Sequence, residues 1–192
     1  MNQIGHHNHS SKNTFGFWIY LMSDCIMFAV LFATYSVLSN AIADGPSGKD
    51  FFNLKVVFSE TVVLLFSSYA SSMVVQNAYT NNKPSVLFWL FATLILGSAF
   101  TLIEATELYQ LVSEGLTPQR SAFLSSLFLI LGTHGLHIII GLIWIVVMIH
   151  MILYRGLDSS SLSSLLCLSL FWHFLDIIWI CVFTFVYLLG SL

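Results

Sequence analysis

Among the ionisable residues inside the long apolar runs of this 192-residue chain, one polar set stands out: Asp24, Glu60, Glu104, Glu107, His134, His137, His173 and Asp176. His173 and Asp176 fall in WHFLDIIW, Glu104 and Glu107 in IEATELYQL, and His134 and His137 in GTHGLH. Each pair is spaced i, i+3, which places both members on one helix face. A charged side chain at mid-bilayer costs roughly 2.5 to 3.5 kcal/mol, so each of these groups needs a partner or a task. Three chemistries compete. The first is metal or haem ligation, but the four-helix di-iron plan needs Glu-x-x-His on two helices. No ExxH occurs here, and the histidines are too sparse for a histidine-box oxygenase. The second is proton or ion translocation, which suits the residue types, although spacing does not put them on one path. The third is structural: imidazoles and carboxylates hydrogen-bond across helices in a bundle that lacks a hydrophobic driving force between its members. Residues alone favour the third, and no catalytic, cofactor-binding or metal-ligating residue is assigned. A half-satisfied buried network is costly, so the expected pairs are His173 with Asp176 or Asp24, and His134 or His137 with a glutamate.

The elements that must carry this set are five apolar spans, at about residues 15–38, 56–79, 86–112, 121–154 and 162–189. Each approaches or exceeds the roughly 20 residues that cross a bilayer, and the fourth is long enough to tilt or project. The expected fold is an all-α integral membrane bundle of five transmembrane helices: one domain over 15–192, preceded by a disordered, histidine-rich tail at 1–14. His6, His7 and His9 in that tail could serve a metal-binding tract, but nothing nearby fixes their geometry. NAIADGPSGKD, at 40–50, reads as an aqueous turn. The link TNNKPS is so short that spans two and three must be antiparallel neighbours. Span two carries Ser67, Ser68, Ser71 and Ser72, which permit close packing and interhelical hydrogen bonds, and Gly132, Gly135 and Gly141 of span four invite close approach. Trp18, Trp89, Tyr109, Tyr154 and Tyr187 fall near span ends, where amphipathic rings favour the interface.

Composition closes off other classes. Charged residues make up 8% against 57% hydrophobic, and mean hydropathy is +0.88; a soluble domain carries about a quarter charged residues. The net charge of -3 is scattered, with no basic block to neutralise phosphates, so nucleic acid is not a partner. Cys25, Cys167 and Cys181 lie in apolar spans without a CxxC and read as small buried residues. The amino terminus lacks signal-peptide order, so the first span is expected to stay in the mature protein. Lys12, Lys83 and Arg155 fall on one side and Lys49, Lys55 and Arg120 on the other. The first set lies in shorter segments opposed only by Asp158, which favours a cytoplasmic amino terminus.

Four blocks, FGFWIYLMSDCIMFAVLFATYSVL from Phe15, IEATELYQL from Ile103, GTHGLHIIIG from Gly132 and LFWHFLDIIWICVFTFVYLLGS from Leu170, carry a resemblance. Together they resemble subunit III of the haem–copper terminal oxidases, most closely the five-helix form of cytochrome bo-type ubiquinol oxidases. The resemblance implies a non-catalytic accessory subunit in a bacterial inner membrane. It would bind no redox metal, since haem and copper belong to the large subunit I; subunit II and a small subunit IV complete the complex. It further implies that the chain stabilises subunit I, supports proton uptake and binds phospholipid, in a complex that oxidises ubiquinol, reduces oxygen and pumps protons. The alternatives are subunit III of a cytochrome c oxidase or a stand-alone proton or ion pathway. Glu107 matches the family's ATE-like glutamate, and His134, His137, His173 and Asp176 match its histidine motifs. Two departures stand out. Larger members have seven helices, and the first span here matches their third, so a lipid cleft built from the missing pair is not expected within this chain. The family's frequent glutamate in that helix is replaced by Asp24.

Overall fold

A computed structural model describes residues 3–38 and 54–188. The chain forms α1 (Gln3–Leu38), α2 (Leu54–Tyr79), α3 (Lys83–Ser113), α4 (Ala122–Arg155) and α5 (Ser159–Val182), and α5 continues into a π-helical turn, Phe183–Leu188. All five cores are long and apolar enough to cross a membrane: Thr14–Leu38, Val56–Tyr79, Lys83–Ser113, Ala122–Arg155 and Ser160–Leu188. Such helices close every backbone hydrogen bond internally, the condition for lying in lipid. Large side chains such as Ile26, Phe66, Ile95, Leu102, Ile143 and Ile177 point outward and are exposed. In water this would be a liability; in a bilayer it is the lipid-facing surface.

At the start of the chain, α1 already begins at Gln3, since extending a formed helix adds one hydrogen bond per residue without a new nucleation cost. The expected aqueous turn at 40–50 lies outside the described residues.

Local sequence sets the helix ends. Residues 80–82 join α2 to α3: Asn81 adopts φ +56°, and the Asn82 side chain accepts from the Ser85 amide at 3.4 Å. Ser121 caps α4 by accepting from the Leu124 amide at 3.1 Å. Gly156, at φ +83°, stops α4 in a conformation that other residues rarely adopt.

The α2–α3 hairpin is the most extensive pairing in the bundle, and α5 packs on α1, α2 and α4. α1 packs against α4 and α5, leaving much of its circumference outward. This overturns the reading of the cysteines as buried: Cys25 is exposed on α1, Cys167 and Cys181 are half-buried, and all three are free. The core is built around α5, whose Phe171, Trp172, Leu175, Trp179 and Val182 are almost completely buried. Because direction alternates, α2 begins, α3 ends, α4 begins and α5 ends at the same face of the bundle.

Candidate functional site

The central side chain of the bundle is Trp172, 1% exposed. A Cβ added at Gly97 of α3 would lie 2.8 Å from its ring, and one added at Gly141 of α4 would lie 2.9 Å from it. The two glycines therefore make the slot that the indole fills. Its Nε1–H donates to Ser67 Oγ of α2 at 3.0 Å, and Ser67 in turn donates to the Thr93 carbonyl of α3 at 3.4 Å. Nearby, Ser71 donates to Ser169 Oγ at 3.3 Å. Two turns on from Trp172, the Trp179 Nε1–H donates to Thr61 Oγ1 at 3.1 Å. One side chain thus fastens α2, α3, α4 and α5, using neutral groups throughout.

His173 sits on the α2–α5 seam. Ser72 donates to the Ser68 carbonyl at 3.3 Å, so its oxygen is left to accept from His173 Nε2–H at 3.2 Å. Nδ1 then accepts from Ser68 Oγ–H at 2.7 Å. Asp176 Oδ2 lies 3.7 Å from the same Nδ1, near enough to interact and too far for a hydrogen bond.

His137 faces α1. Its Nδ1–H donates to the Thr133 carbonyl at 2.7 Å, and Nε2 lies 3.6 Å from Asp24 Oδ2. The Tyr20 hydroxyl hydrogen-bonds the same aspartate, and Phe28 packs against the imidazole with ring centroids 5.4 Å apart.

The deepest group is His134, which is fully buried. Its Nε2–H donates to the Leu175 carbonyl at 3.3 Å, and it stacks on Trp179 at 5.2 Å. Its Nδ1 has no hydrogen-bond partner and lies 3.9 Å from Glu104 Oε1. Glu60, also fully buried, has neither carboxyl oxygen hydrogen-bonded, and it is electrostatically coupled to Glu104 and Glu107. Half-buried Glu107 accepts from the Tyr187 hydroxyl, which the π turn carries inward. Among the described residues no lysine or arginine forms an ion pair with any of these acids. Also among the described residues, no set of three or more His, Cys, Asp or Glu side chains converges as a metal centre requires.

Of the expected pairs, His173 lies beside Asp176 and His134 beside Glu104; His137 faces Asp24, because the i, i+3 imidazoles of α4 diverge towards different neighbours. Of the glycines, Gly141 and Gly135 are approached by the side chains of Trp172 and Glu104, whereas nothing lies within 4 Å of a Cβ at Gly132, which faces outward. Tyr187 is not an interfacial ring: it is 3% exposed, because the wider π turn shifts the helix phase and rotates it towards Glu107. The sequence reading missed Trp172, Gly97, Thr61 and Thr93. The seven-residue interval between Trp172 and Trp179 was an available signal, since i and i+7 share a helix face.

Comparison with known proteins agrees along nearly the whole chain. The family described as "Cytochrome c oxidase subunit III" matches residues 1–191. The "Cytochrome bo(3) ubiquinol oxidase subunit 3" of Pseudomonas aeruginosa is 50% identical over 99% of this chain and 93% of its own length. The protein of the same name from Buchnera aphidicola (subsp. Schizaphis graminum) is 48% identical over 94% of this chain and 95% of its own. "Quinol oxidase subunit 3" of Bacillus subtilis is 39% identical over 93% and 87%.

Proposed function

Since this chain belongs to the cytochrome c oxidase subunit III family, we propose that it serves as the non-catalytic subunit III of a proton-pumping ubiquinol oxidase. The observation that carries this reading is the pairing of its polar groups: His173, His134 and the Trp172 indole, which could have served a reactive centre, are engaged across helix seams instead. The end-to-end similarity to subunits named for quinol oxidases favours the quinol donor. The chain then packs against subunit I, where haem and copper reside, with subunit II and a small subunit IV completing the complex. It lies in the bacterial inner membrane with its amino terminus in the cytoplasm, holds phospholipid at its exposed apolar surface, and folds as one unit over 15–192. Asp24, Glu60, Glu104, Glu107, His134, His137, His173 and Asp176 contribute to the bundle interior rather than to redox chemistry.

Affinity purification through a tag tests this reading. Haem-containing partners and quinol-dependent oxygen consumption are expected in the eluate. A stable solitary protein that carries protons across liposomes would overturn the reading. The family description favours one second reading, subunit III of a cytochrome c oxidase; oxygen consumption driven by cytochrome c rather than quinol would select it.

A further inference from the structure

A hydroxyl on a helix can satisfy its hydrogen by turning it back onto a carbonyl of the preceding turn. Ser72 does this at the Ser68 carbonyl, 3.3 Å away, and Thr93 at the Trp89 carbonyl, 2.9 Å away. Ser71 and Ser169 instead face each other across the α2–α5 seam, where Ser71 donates to Ser169 Oγ at 3.3 Å. Both residues are deeply buried, 5% and 7% exposed. Direct O–H···O bonds span about 2.5–3.0 Å, so the two oxygens stand apart by more than their bond requires. Two hydroxyls carry two hydrogens, and this contact uses one. Among the described residues, the hydrogen of Ser169 meets no acceptor. An unpaired donor at this depth is costly in a bundle surrounded by hydrocarbon.

Beside the pair lies a cavity walled by Ser71 of α2, Leu90 and Thr93 of α3, Ile145 of α4, and Ser169 and Trp172 of α5. It leaves about 10 Å³ for the centre of a water molecule, close to the roughly 10–15 Å³ that one water needs. Because the Thr93 hydroxyl spends its hydrogen on its own helix, its oxygen serves as an acceptor. We infer that this cavity is a binding site for a single water molecule, which accepts from Ser169 Oγ–H and donates to the oxygens of Ser71 and Thr93. Its three partners come from three helices, and about three hydrogen bonds are usual for a buried water. A lipid tail or another apolar molecule offers the Ser169 hydrogen no acceptor, and the space ends after one small molecule. The water extends the fastening made by Trp172, whose ring forms one wall of its site.

A cryo-EM map of the intact membrane complex, at a resolution that shows other ordered interior waters, tests this. A compact peak is expected within about 2.5–3.0 Å of the Ser71, Thr93 and Ser169 hydroxyl oxygens. Ser71→Ala combined with Ser169→Ala should abolish that peak and leave the Trp172–Ser67 bond in place. A wild-type map with interior waters elsewhere and no peak here would overturn the proposal, as would elongated density or a cavity closed by a short Ser71–Ser169 bond. A peak that persists unchanged in the double variant would also overturn it, since the hydroxyls would not be its partners. If the double variant does not assemble, the wild-type map decides alone.

Discussion

Two layers of this bundle handle buried polarity in opposite ways. Around Trp172 the indole, hydroxyls and carbonyl are matched donor to acceptor, and glycines on two helices are shaped to the ring. Around His134 the groups are stronger and their partners fewer: Glu60, Glu104 and His134 all keep buried atoms without a hydrogen bond. Helix association in lipid draws on close packing and neutral interhelical hydrogen bonds, and the Trp172 layer supplies both. The carboxyl layer adds little to that task.

Substitutions can break this contrast. Trp172→Ala removes the side chain that joins four helices and should cost about 3–5 kcal/mol, read as loss of the chain from the purified complex or early unfolding in SDS. Next in size, Gly97→Ala forces a methyl group against the Trp172 ring and should cost about 1–3 kcal/mol. Gly132→Ala meets nothing and should be neutral or gain up to about 1 kcal/mol from helix propensity. Equal effects at the two glycines in the same SDS titration would mean that the slot does not matter. Ser67→Ala leaves the Trp172 N–H unpaired and should cost roughly 0.6 to 1.7 kcal/mol. Smallest is Glu60→Gln, which replaces an unpaired carboxyl with an amide of the same shape. Its effect on assembly should stay below about 0.6 kcal/mol, the average for an intramembrane hydrogen bond. A cost there rivalling Trp172→Ala would erase the distinction between the layers.

Much of this was legible in the sequence. The apolar runs marked the five membrane-crossing cores to within a few residues, and the serines of span two were rightly read as interhelical donors and acceptors. The helical period says which residues share a face but not which neighbour that face meets. That is why the sequence left open which of His134 and His137 meets a glutamate, when His134 lies beside Glu104 and His137 beside Asp24, and why Gly132 was grouped with Gly141. The burial of Tyr187 was illegible for another reason: a π turn changes the phase of a helix without leaving a period in the sequence. Cys25 was misjudged because apolar context implies burial in water, whereas in lipid an apolar helix can stand half outside.

The short α2–α3 connection has a consequence for biogenesis. Three residues between two closely packed helices make a hairpin that enters the bilayer as one object. Glu60 lies near the start of one arm, and Glu104 and Glu107 near the end of the other, so the hairpin brings the three acids to the same depth. Inserted together, they reach the membrane already facing one another, and none has to cross the hydrocarbon as an isolated acid. The tight turn thus shapes how the chain arrives in the membrane as well as how it rests there.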